Sequence, residues 1–218
     1  QKVLDIGAGS GVLLDTARKY GWSTYGIEPD TERCNDIAAR GHLMCLGTVQ
    51  EHKRCVEKWQ PDMVTCWETL EHMANSEDFL LNLYDMLNPG ALLVMSCPND
   101  YSPLQLAACT KYTLAPWWLI PPMHTHYMTP KTLQLLVRRC GFRILDLRGT
   151  HPLEQNMLHP LGQCYIGNSV LWRTYTDRKI ALEMTAMREG RWHELEAQYR
   201  SNLADRIGRS IICIARKE

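Results

Sequence analysis

The first thirty residues carry the feature that most constrains the fold, an apolar strand that runs into a glycine-rich turn. Val3, Leu4 and Ile6 form a short apolar run that is typical of a buried parallel strand. The loop Gly7–Gly11 follows, and its glycines let the backbone turn sharply and approach a ligand closely. Residues 12–20 then form an amphipathic pattern, which predicts a helix whose first N–H groups point at the loop.

A second predicted strand, residues 23–28, ends on an acidic side chain. Glu28 lies about 20 residues beyond the loop, where a carboxylate accepts hydrogen bonds from ribose hydroxyls. This layout predicts a site for the adenosine part of a cofactor. The glycine spacing is G-x-G-x-G, so the third glycine of a dinucleotide fold is absent, and Asp5 stands where such a strand is usually apolar.

Strands and helices alternate along the chain, which predicts an α/β fold with a mostly parallel sheet and helices on both faces. A strong helix stop at Asn88-Pro-Gly90 separates one such helix from the next strand. We expect helices at 12–20, 31–40, 49–59, 76–87 and 129–140. We expect seven strands, at 3–6, 23–28, 42–46, 62–67, 91–96, 143–148 and 210–215.

Two segments fall outside this alternation. Residues 100–127 are interrupted by prolines, and we expect irregular structure there, whereas residues 150–207 contain a long helical pattern. Ligands of open α/β sheets bind at the carboxyl ends of the strands. We therefore expect one domain in which 1–149 and 208–218 form the core, and 100–127 and 150–207 are helical cap inserts around the substrate.

Composition excludes some classes of protein and favours others. Lys plus Arg and Asp plus Glu both number 24, so the formal net charge is zero, which argues against a nucleic-acid partner. The sequence contains no run of 18 apolar residues, so we expect no membrane span. The nine cysteines are scattered without a C-x-x-C pair, as in reduced cytoplasmic proteins. Because the chain opens inside a core strand, we expect it to be part of a longer protein. The sequence also allows a homodimer.

Several strings resemble one family. Asp5-Ile-Gly-Ala-Gly-Ser-Gly11 resembles the first motif of class I S-adenosylmethionine-dependent methyltransferases. Asp62-Met-Val-Thr-Cys-Trp-Glu-Thr-Leu-Glu-His72 resembles the corresponding segment of the ubiquinone-biosynthesis-like branch of that class. The strings at 87–99, at 124–133 and at Gly141-Phe142 are similar to the same branch. The resemblance covers roughly residues 1–148 and 210–217, and the cap segments match no pattern.

The resemblance implies a Rossmann-like sheet with an antiparallel last strand, and methyl transfer from S-adenosylmethionine to a small-molecule acceptor, most readily at oxygen. In this family the glycine loop passes under the methionine moiety and the acidic residue holds the ribose. An acidic residue that meets adenine in many relatives is missing after the third strand, which leaves backbone groups or Gln50 for that contact. The residues implied for the cofactor are Asp5, Gly7, Ala8, Gly9, Gly11, Glu28, Pro29, Gly47, Thr48, Trp67 and Glu68.

The triplet Glu68, Glu71 and His72 allows two interpretations. On one helical turn all three side chains would face one point, and two carboxylates with an imidazole suit Mg²⁺ or Mn²⁺. Some methyltransferases of quinone precursors and of RNA 3′ ends use this triplet for such an ion, which would lower the pKa of the acceptor hydroxyl. His124 or His126 would add a ligand. Alternatively, Glu68 orients the cofactor while the other two side chains cap the helix.

Without a metal, His72 or His126 is the candidate general base, because imidazole titrates near neutral pH. Trp117 and Trp118 lie between prolines and would form an aromatic wall for a flat acceptor, with His124 and His126 beside it. The alternative for the two tryptophans is a hydrophobic loop packed on the core, or an interface. A lone histidine in such a loop often has a structural role.

Two other functions are compatible with the sequence. The triplet also allows an RNA 3′-terminal ribose 2′-O-methyltransferase, although the zero net charge and the short His124-Thr-His126 segment argue against it. A module that binds the cofactor without catalysis, as a scaffold, is the third possibility.

Overall fold

The computed structural model describes residues 1–155 and 169–218. Seven strands form one sheet in the order β3-β2-β1-β4-β5-β7-β6. The strands are β1 (Lys2–Ile6), β2 (Ser23–Glu28), β3 (Leu43–Leu46), β4 (Met63–Trp67), β5 (Leu92–Pro98), β6 (Phe142–Gly149) and β7 (Ser210–Lys217).

The first five strands are parallel, with β1 between β2 and β4. Val3 pairs with Thr24 on one side and with Met63 on the other. Val3, Leu4 and Ile6 are all buried, as expected for a strand covered on both faces. This arrangement brings the carboxyl ends of β1, β2 and β4 to one edge of the sheet.

The last strand runs in the opposite direction. The Gly90 N–H donates to the Lys217 carbonyl at 2.7 Å, and the Lys217 N–H donates to the Ala91 carbonyl at 3.0 Å, which is the exchange made by an antiparallel pair. The predicted fold class is therefore confirmed.

Most helices match the sequence pattern within a few residues. Asp30 caps α2 by accepting from the Arg33 N–H, and Asn75 caps α4 by accepting from two backbone N–H groups, so polar caps fix where both helices begin. The helices are α1 (Val12–Lys19), α2 (Thr31–Ala39), α3 (Lys53–Trp59), α4 (Ser76–Met86), α5 (Pro103–Tyr112), α6 (Pro130–Arg139), α7 (Ser169–Arg188) and α8 (Trp192–Ala204).

The expectation of irregular structure throughout 100–127 is wrong, because this segment contains α5. Ser102 and Gln105 form a capping box in which each side chain accepts from the backbone N–H of the other residue. Pro103 occupies the first helical position, where the missing N–H of proline has no consequence. The prolines that break the chain lie after this helix, at 116, 121 and 122.

The chain divides into two compact units. The first unit comprises Gln1–Cys97, Thr132–Asp146 and Cys213–Glu218, and it contains the glycine loop. The second unit comprises Pro98–Lys131 and Leu147–Ile212. Residues 156–168 of the predicted insert 150–207, together with Cys164, lie outside the described residues. The proposed roles of 100–127 and 150–207 as caps stay predictions.

Buried polar side chains fix the loops of the second unit. The Asn99 amide donates to the Gly208 carbonyl at 2.7 Å, and the Asn202 amide donates to the Thr150 carbonyl at 3.1 Å. The fully buried Glu154 carboxylate accepts from the Arg209 guanidinium at 2.7 Å. Each bond offsets the cost of removing a polar group from water. Among the described residues, no helix is both long and apolar enough to cross a membrane.

Candidate functional site

A cavity of about 440 Å³ opens at the carboxyl ends of β1, β2 and β4. This is the edge at which ligands of open α/β sheets bind, and the volume is in the range of small-molecule sites, roughly 300–1,000 Å³. The lining is contributed by the glycine loop, by the ends of β2 and β4, and by the residues that follow β3. All of it lies in the first unit.

The glycine loop closes tightly over the end of β1. Gly7 has a φ of +72°, and its N–H donates to the Ile27 carbonyl at 2.8 Å. A Cβ atom at Gly7 would lie 2.7 Å from the Thr69 hydroxyl oxygen, so both the backbone conformation and the close approach require glycine. Gly9 lines the cavity itself, which leaves this part of the loop open to a ligand.

The Glu28 carboxylate is buried beside the loop and held at both oxygens. Oε2 accepts from the Gly9 N–H at 2.8 Å, and Oε1 accepts from the Asp30 N–H at 3.0 Å. A carboxylate offers about four lone-pair sites, so two remain for hydroxyl donors in the cavity that Glu28 lines. The orientation of the carboxylate is therefore set before any ligand binds.

Asp5 lies under the loop and does not line the cavity. Its carboxylate is buried and accepts from the Thr65 hydroxyl at 2.6 Å. Burial raises the pKa of the Asp5 carboxyl to about 6, the Thr65 hydrogen bond partly opposes this, and the charge of Glu28 adds to it. Asp5 therefore holds its proton more tightly than an exposed aspartate does.

This shift predicts a specific pH dependence of stability. The pKa of Asp5 is about 6 in the folded chain and near 3.8 in the unfolded chain, so the folded state binds more protons between these values. The contribution of Asp5 to the free energy of unfolding should therefore fall by about 2 kcal/mol as the pH rises from 4 to 7. Asp5→Asn removes this contribution. We expect the stability of the variant relative to wild type to rise over that interval in urea titrations at pH 4, 5, 6 and 7. A difference that is constant with pH would contradict the shift.

Glu68 does not share a helical turn with Glu71 and His72, which corrects the predicted geometry of the triplet. Glu68 has a φ of +47°, and only Leu70–His72 form a short 3₁₀ turn. The Glu68 carboxylate accepts from the Ser96 hydroxyl at 2.8 Å, and its N–H donates to the Ser96 carbonyl at 3.1 Å. These bonds hold Glu68 in the cavity wall after β4.

The other two members of the triplet differ in exposure. Glu71 is buried, whereas the His72 side chain is 41% exposed and lines the cavity. The His72 Nε2 lies 4.0 Å from the Glu71 Oε1. A half-exposed imidazole beside a buried carboxylate can accept a proton from a group in the cavity.

The segment after β3 forms another part of the wall. The Gly47 N–H donates to the Glu28 carbonyl at 3.1 Å, which joins this segment to the end of β2. Thr48 donates its N–H and its hydroxyl to Glu51, so a side chain fixes the loop. Val49 and Gln50 also line the cavity.

The predicted substrate residues lie in the second unit. Trp118 is buried, and its ring makes edge contacts with Tyr101 at 5.6 Å and with Trp117 at 5.0 Å between centroids. Trp117, His124 and His126 are half-buried. The burial of Trp118 is what a packed hydrophobic loop would show, which was the alternative to an aromatic wall for substrate. Contact of these four residues with substrate stays a prediction.

Most of the predicted cofactor residues meet at the cavity, and the remainder lie nearby in the loop or under it. Asp5, Ala8 and Gly11 do not line it, and neither does Glu71. Sequence reasoning missed Arg33, Thr69, Met73 and Phe79, which come from α2, from the turn after β4 and from α4. The predicted residues that line the cavity are Gly7, Gly9, Glu28, Pro29, Gly47, Thr48, Trp67, Glu68 and His72.

The family of the chain follows from comparison with known proteins. The profile of a family described as a methyltransferase domain matches residues 1–147. The chain belongs to this methyltransferase domain family. The resemblance to class I S-adenosylmethionine-dependent methyltransferases of the ubiquinone-biosynthesis-like branch is thereby confirmed.

Individual relatives agree with this assignment. The mitochondrial ubiquinone biosynthesis O-methyltransferase of Schizosaccharomyces pombe is 30% identical over 168 residues, which are 71% of this chain and 60% of the relative. The ubiquinone biosynthesis O-methyltransferase of Roseobacter denitrificans is 29% identical over 158 residues, which are 68% of this chain and 62% of the relative. The matched region thus spans about six-tenths of these curated relatives.

A solved structure shares the fold. The crystal structure of an S-adenosylmethionine-dependent methyltransferase from Archaeoglobus fulgidus superimposes with a TM-score of 0.61 at 16% sequence identity. The match covers 100% of this chain and 86% of the other.

Proposed function

We propose that this chain binds S-adenosylmethionine in the cavity of the first unit and transfers its methyl group to a hydroxyl of a small molecule. The observation that carries the proposal is the buried Glu28 carboxylate, held against the glycine loop at the end of β2 in a chain of the methyltransferase domain family. This carboxylate supplies acceptors for two ribose hydroxyls at one fixed place.

The remaining wall fits the other parts of this cofactor. Gln50 would present its side-chain amide and Gly47 and Thr48 their backbone carbonyls to the adenine, and Val49 offers apolar surface. Gly9 gives backbone access beside the ribose, and Glu68, fixed by Ser96, lies at the methionine end, where a carboxylate attracts an ammonium group.

S-adenosylmethionine, when bound, would supply a sulfonium methyl group for in-line attack by an acceptor oxygen, with the thioether sulfur as the leaving group. The oxygen–carbon bond forms, the sulfur–carbon bond breaks with its electron pair left on sulfur, and the hydroxyl proton goes to a base. His72 lines the cavity and is our candidate for this base, with His126 as the other. The rest of the wall excludes water and aligns the reactants.

The acceptor is proposed from the relatives. Both proteins named above are O-methyltransferases of ubiquinone biosynthesis, so we propose a phenolic hydroxyl of an apolar quinone precursor as the acceptor class. Trp117 and Trp118 would contribute an aromatic surface for such a ring. We also propose a cytoplasmic location, because the eight described cysteines form no disulfide bond with one another. A homodimer and a longer natural chain are compatible with these proposals.

The direct test is transfer of a tritium-labelled methyl group. The protein is incubated with labelled S-adenosylmethionine and, in separate reactions, with a polyprenylated catechol, a short RNA and buffer alone. We expect label in the catechol and none in the RNA. Label in RNA, with binding that weakens steeply as salt is raised, would overturn the small-molecule acceptor in favour of ribose 2′-O-methylation. Tight cofactor binding without transfer to any member of a broad acceptor panel would favour a scaffold.

A divalent cation is a second proposal, favoured by the buried Glu71 carboxylate beside His72. These two side chains would supply one oxygen and one nitrogen ligand to Mg²⁺ or Mn²⁺, ions that keep several waters when few protein ligands bind them. Glu68 fits this role less well, because its carboxylate is engaged by Ser96. The proposed ion would bind the acceptor oxygen and lower its pKa.

This second proposal predicts a metal effect that Glu71→Gln abolishes. We expect Mg²⁺ or Mn²⁺ to raise the melting temperature of the wild-type complex with S-adenosylhomocysteine, and a chelator to reverse the rise. Glu71→Gln keeps the size of the side chain and removes its charge, so its complex should show no rise. Glu77→Gln, a half-buried site on α4 outside the cavity lining, is the control. Equal metal responses in wild type and Glu71→Gln would remove Glu71 from the site.

A further inference from the structure

Arg40, which follows α2, contacts the glycine loop from outside the cavity. Its Nη2 donates to the Ser10 carbonyl at 2.6 Å. The Gly11 N–H, on the same peptide group, donates to the Ala8 carbonyl at 2.8 Å. The Ser10–Gly11 peptide is therefore held at both of its polar ends, at a place where glycine would otherwise let it rotate.

The contact between Arg40 and the loop requires a glycine at position 11. It has a φ of +75°, and a Cβ atom there would lie 2.6 Å from the Arg40 Nη2 and 2.9 Å from an Ile37 side-chain carbon. Gly11 therefore lets Arg40 approach the loop, whereas Gly9 lines the cavity. Gly11 is also the N-cap of α1, and no side chain among the described residues caps this helix.

A chain of polar groups, of which only His42 is buried, holds Arg40 in place. Its Nη1 donates to Asp15 Oδ2, and Asp15 Oδ1 accepts from His42 Nε2 at 2.9 Å. His42 is buried, and its Nδ1 lies 2.7 Å from the Thr24 hydroxyl oxygen. Because a carboxylate only accepts, His42 Nε2 carries the proton of the bond to Asp15. The bond from His42 holds the pKa of Asp15 below its usual range, so Asp15 keeps the charge that pairs with Arg40.

We propose that Arg40 is a positioning residue for the cofactor: through the Ser10 carbonyl it fixes the loop that places the Gly9 N–H against Glu28. The inference rests on the proposed function, since the loop matters for affinity only if the cavity binds S-adenosylmethionine. An ordered loop lowers the entropy cost of binding, which would otherwise weaken the complex. Asp15 and His42 act through Arg40 and lie outside the cavity wall.

The test is Arg40→Met, which keeps much of the apolar stem and removes every donor. We expect the Kd for S-adenosylhomocysteine, from calorimetric titration, to rise about tenfold, because a charge-assisted hydrogen bond is lost. In the ligand-free protein, the Gly11 amide should exchange with solvent about tenfold faster, since its peptide group is held at one end only. Arg40→Lys keeps one donor nitrogen and the charge, and it should give a smaller increase in Kd.

Two matched controls separate this role from general loss of structure. Arg54→Met makes the same change at an exposed guanidinium of α3, and Asp36→Asn removes the exposed ion pair of Arg40 at 3.3 Å. Neither residue touches the loop, so both should bind S-adenosylhomocysteine within twofold of wild type. An unchanged Kd and an unchanged Gly11 exchange rate in Arg40→Met and Arg40→Lys would overturn the inference. Failure of the wild type to bind would instead overturn the proposed function. In that case the exchange rate of the Gly11 amide would still test whether Arg40 orders the loop.

Discussion

Glu28→Gln should weaken binding of S-adenosylhomocysteine by at least about a hundredfold, which corresponds to about 2.7 kcal/mol. Both oxygens of the Glu28 carboxylate accept backbone N–H groups, from Gly9 and Asp30. A glutamine has one oxygen, so its NH₂ group would face one of these donors. The variant therefore lacks the negative charge that would accept hydrogen bonds from the ribose hydroxyls. Its NH₂ group would also repel one of the two backbone N–H groups and so disturb the loop. Calorimetric titration at fixed pH and salt measures the effect.

Glu32→Gln is the matched control for this change. Glu32 is exposed in the first turn of α2, four residues from Glu28, and it does not line the cavity. We expect its Kd to stay within twofold of wild type. If Glu28→Gln also bound within threefold of wild type, Glu28 would not be the ribose ligand.

Gly7→Ala should lower the free energy of unfolding by about 3 kcal/mol. A left-handed backbone costs a residue with a Cβ atom about 1–2 kcal/mol, and overpacking costs about 1–3 kcal/mol more. The added methyl group would lie 2.7 Å from the Thr69 hydroxyl oxygen and 3.0 Å from its methyl carbon. Urea denaturation measures the loss.

Gly90 separates the two contributions. It has a φ of +89°, and a Cβ atom there would meet no described atom within 4 Å, so Gly90→Ala carries only the backbone cost, about 1 kcal/mol. In a Thr69→Ala background, Gly7→Ala should cost less than in wild type, because the atoms it would strike are gone. Equal losses for Gly7→Ala and Gly90→Ala would contradict the contact between Gly7 and Thr69.

Local sequence was sufficient to predict the first strand, the glycine loop, the helix after it and the second strand. Its signals are the apolar run of β1, the glycines and the acidic end of β2, and each acts within a few residues of its position. The missed helix α5 also carried a local signal, since Ser102-Pro-Leu-Gln105 is a capping box with proline at the first helical position. The prolines further along the segment outweighed it in the prediction.

The geometry around Glu68 had no local signal. The spacing of Glu68, Glu71 and His72 suits one helical turn, but Ser96, which is 28 residues away in sequence, holds Glu68 in a left-handed conformation before the turn begins. Thr69 likewise packs on Gly7 across 62 positions. Contacts of this separation depend on the order of strands in the sheet, which hydrophobic periodicity does not contain.

The cofactor itself is the central claim, and a titration of the wild-type protein with S-adenosylhomocysteine tests it most directly. We expect saturable binding at one site per chain, competition by S-adenosylmethionine and no competition by NAD⁺. The absence of saturable binding, or displacement by NAD⁺ at similar concentrations, would contradict it.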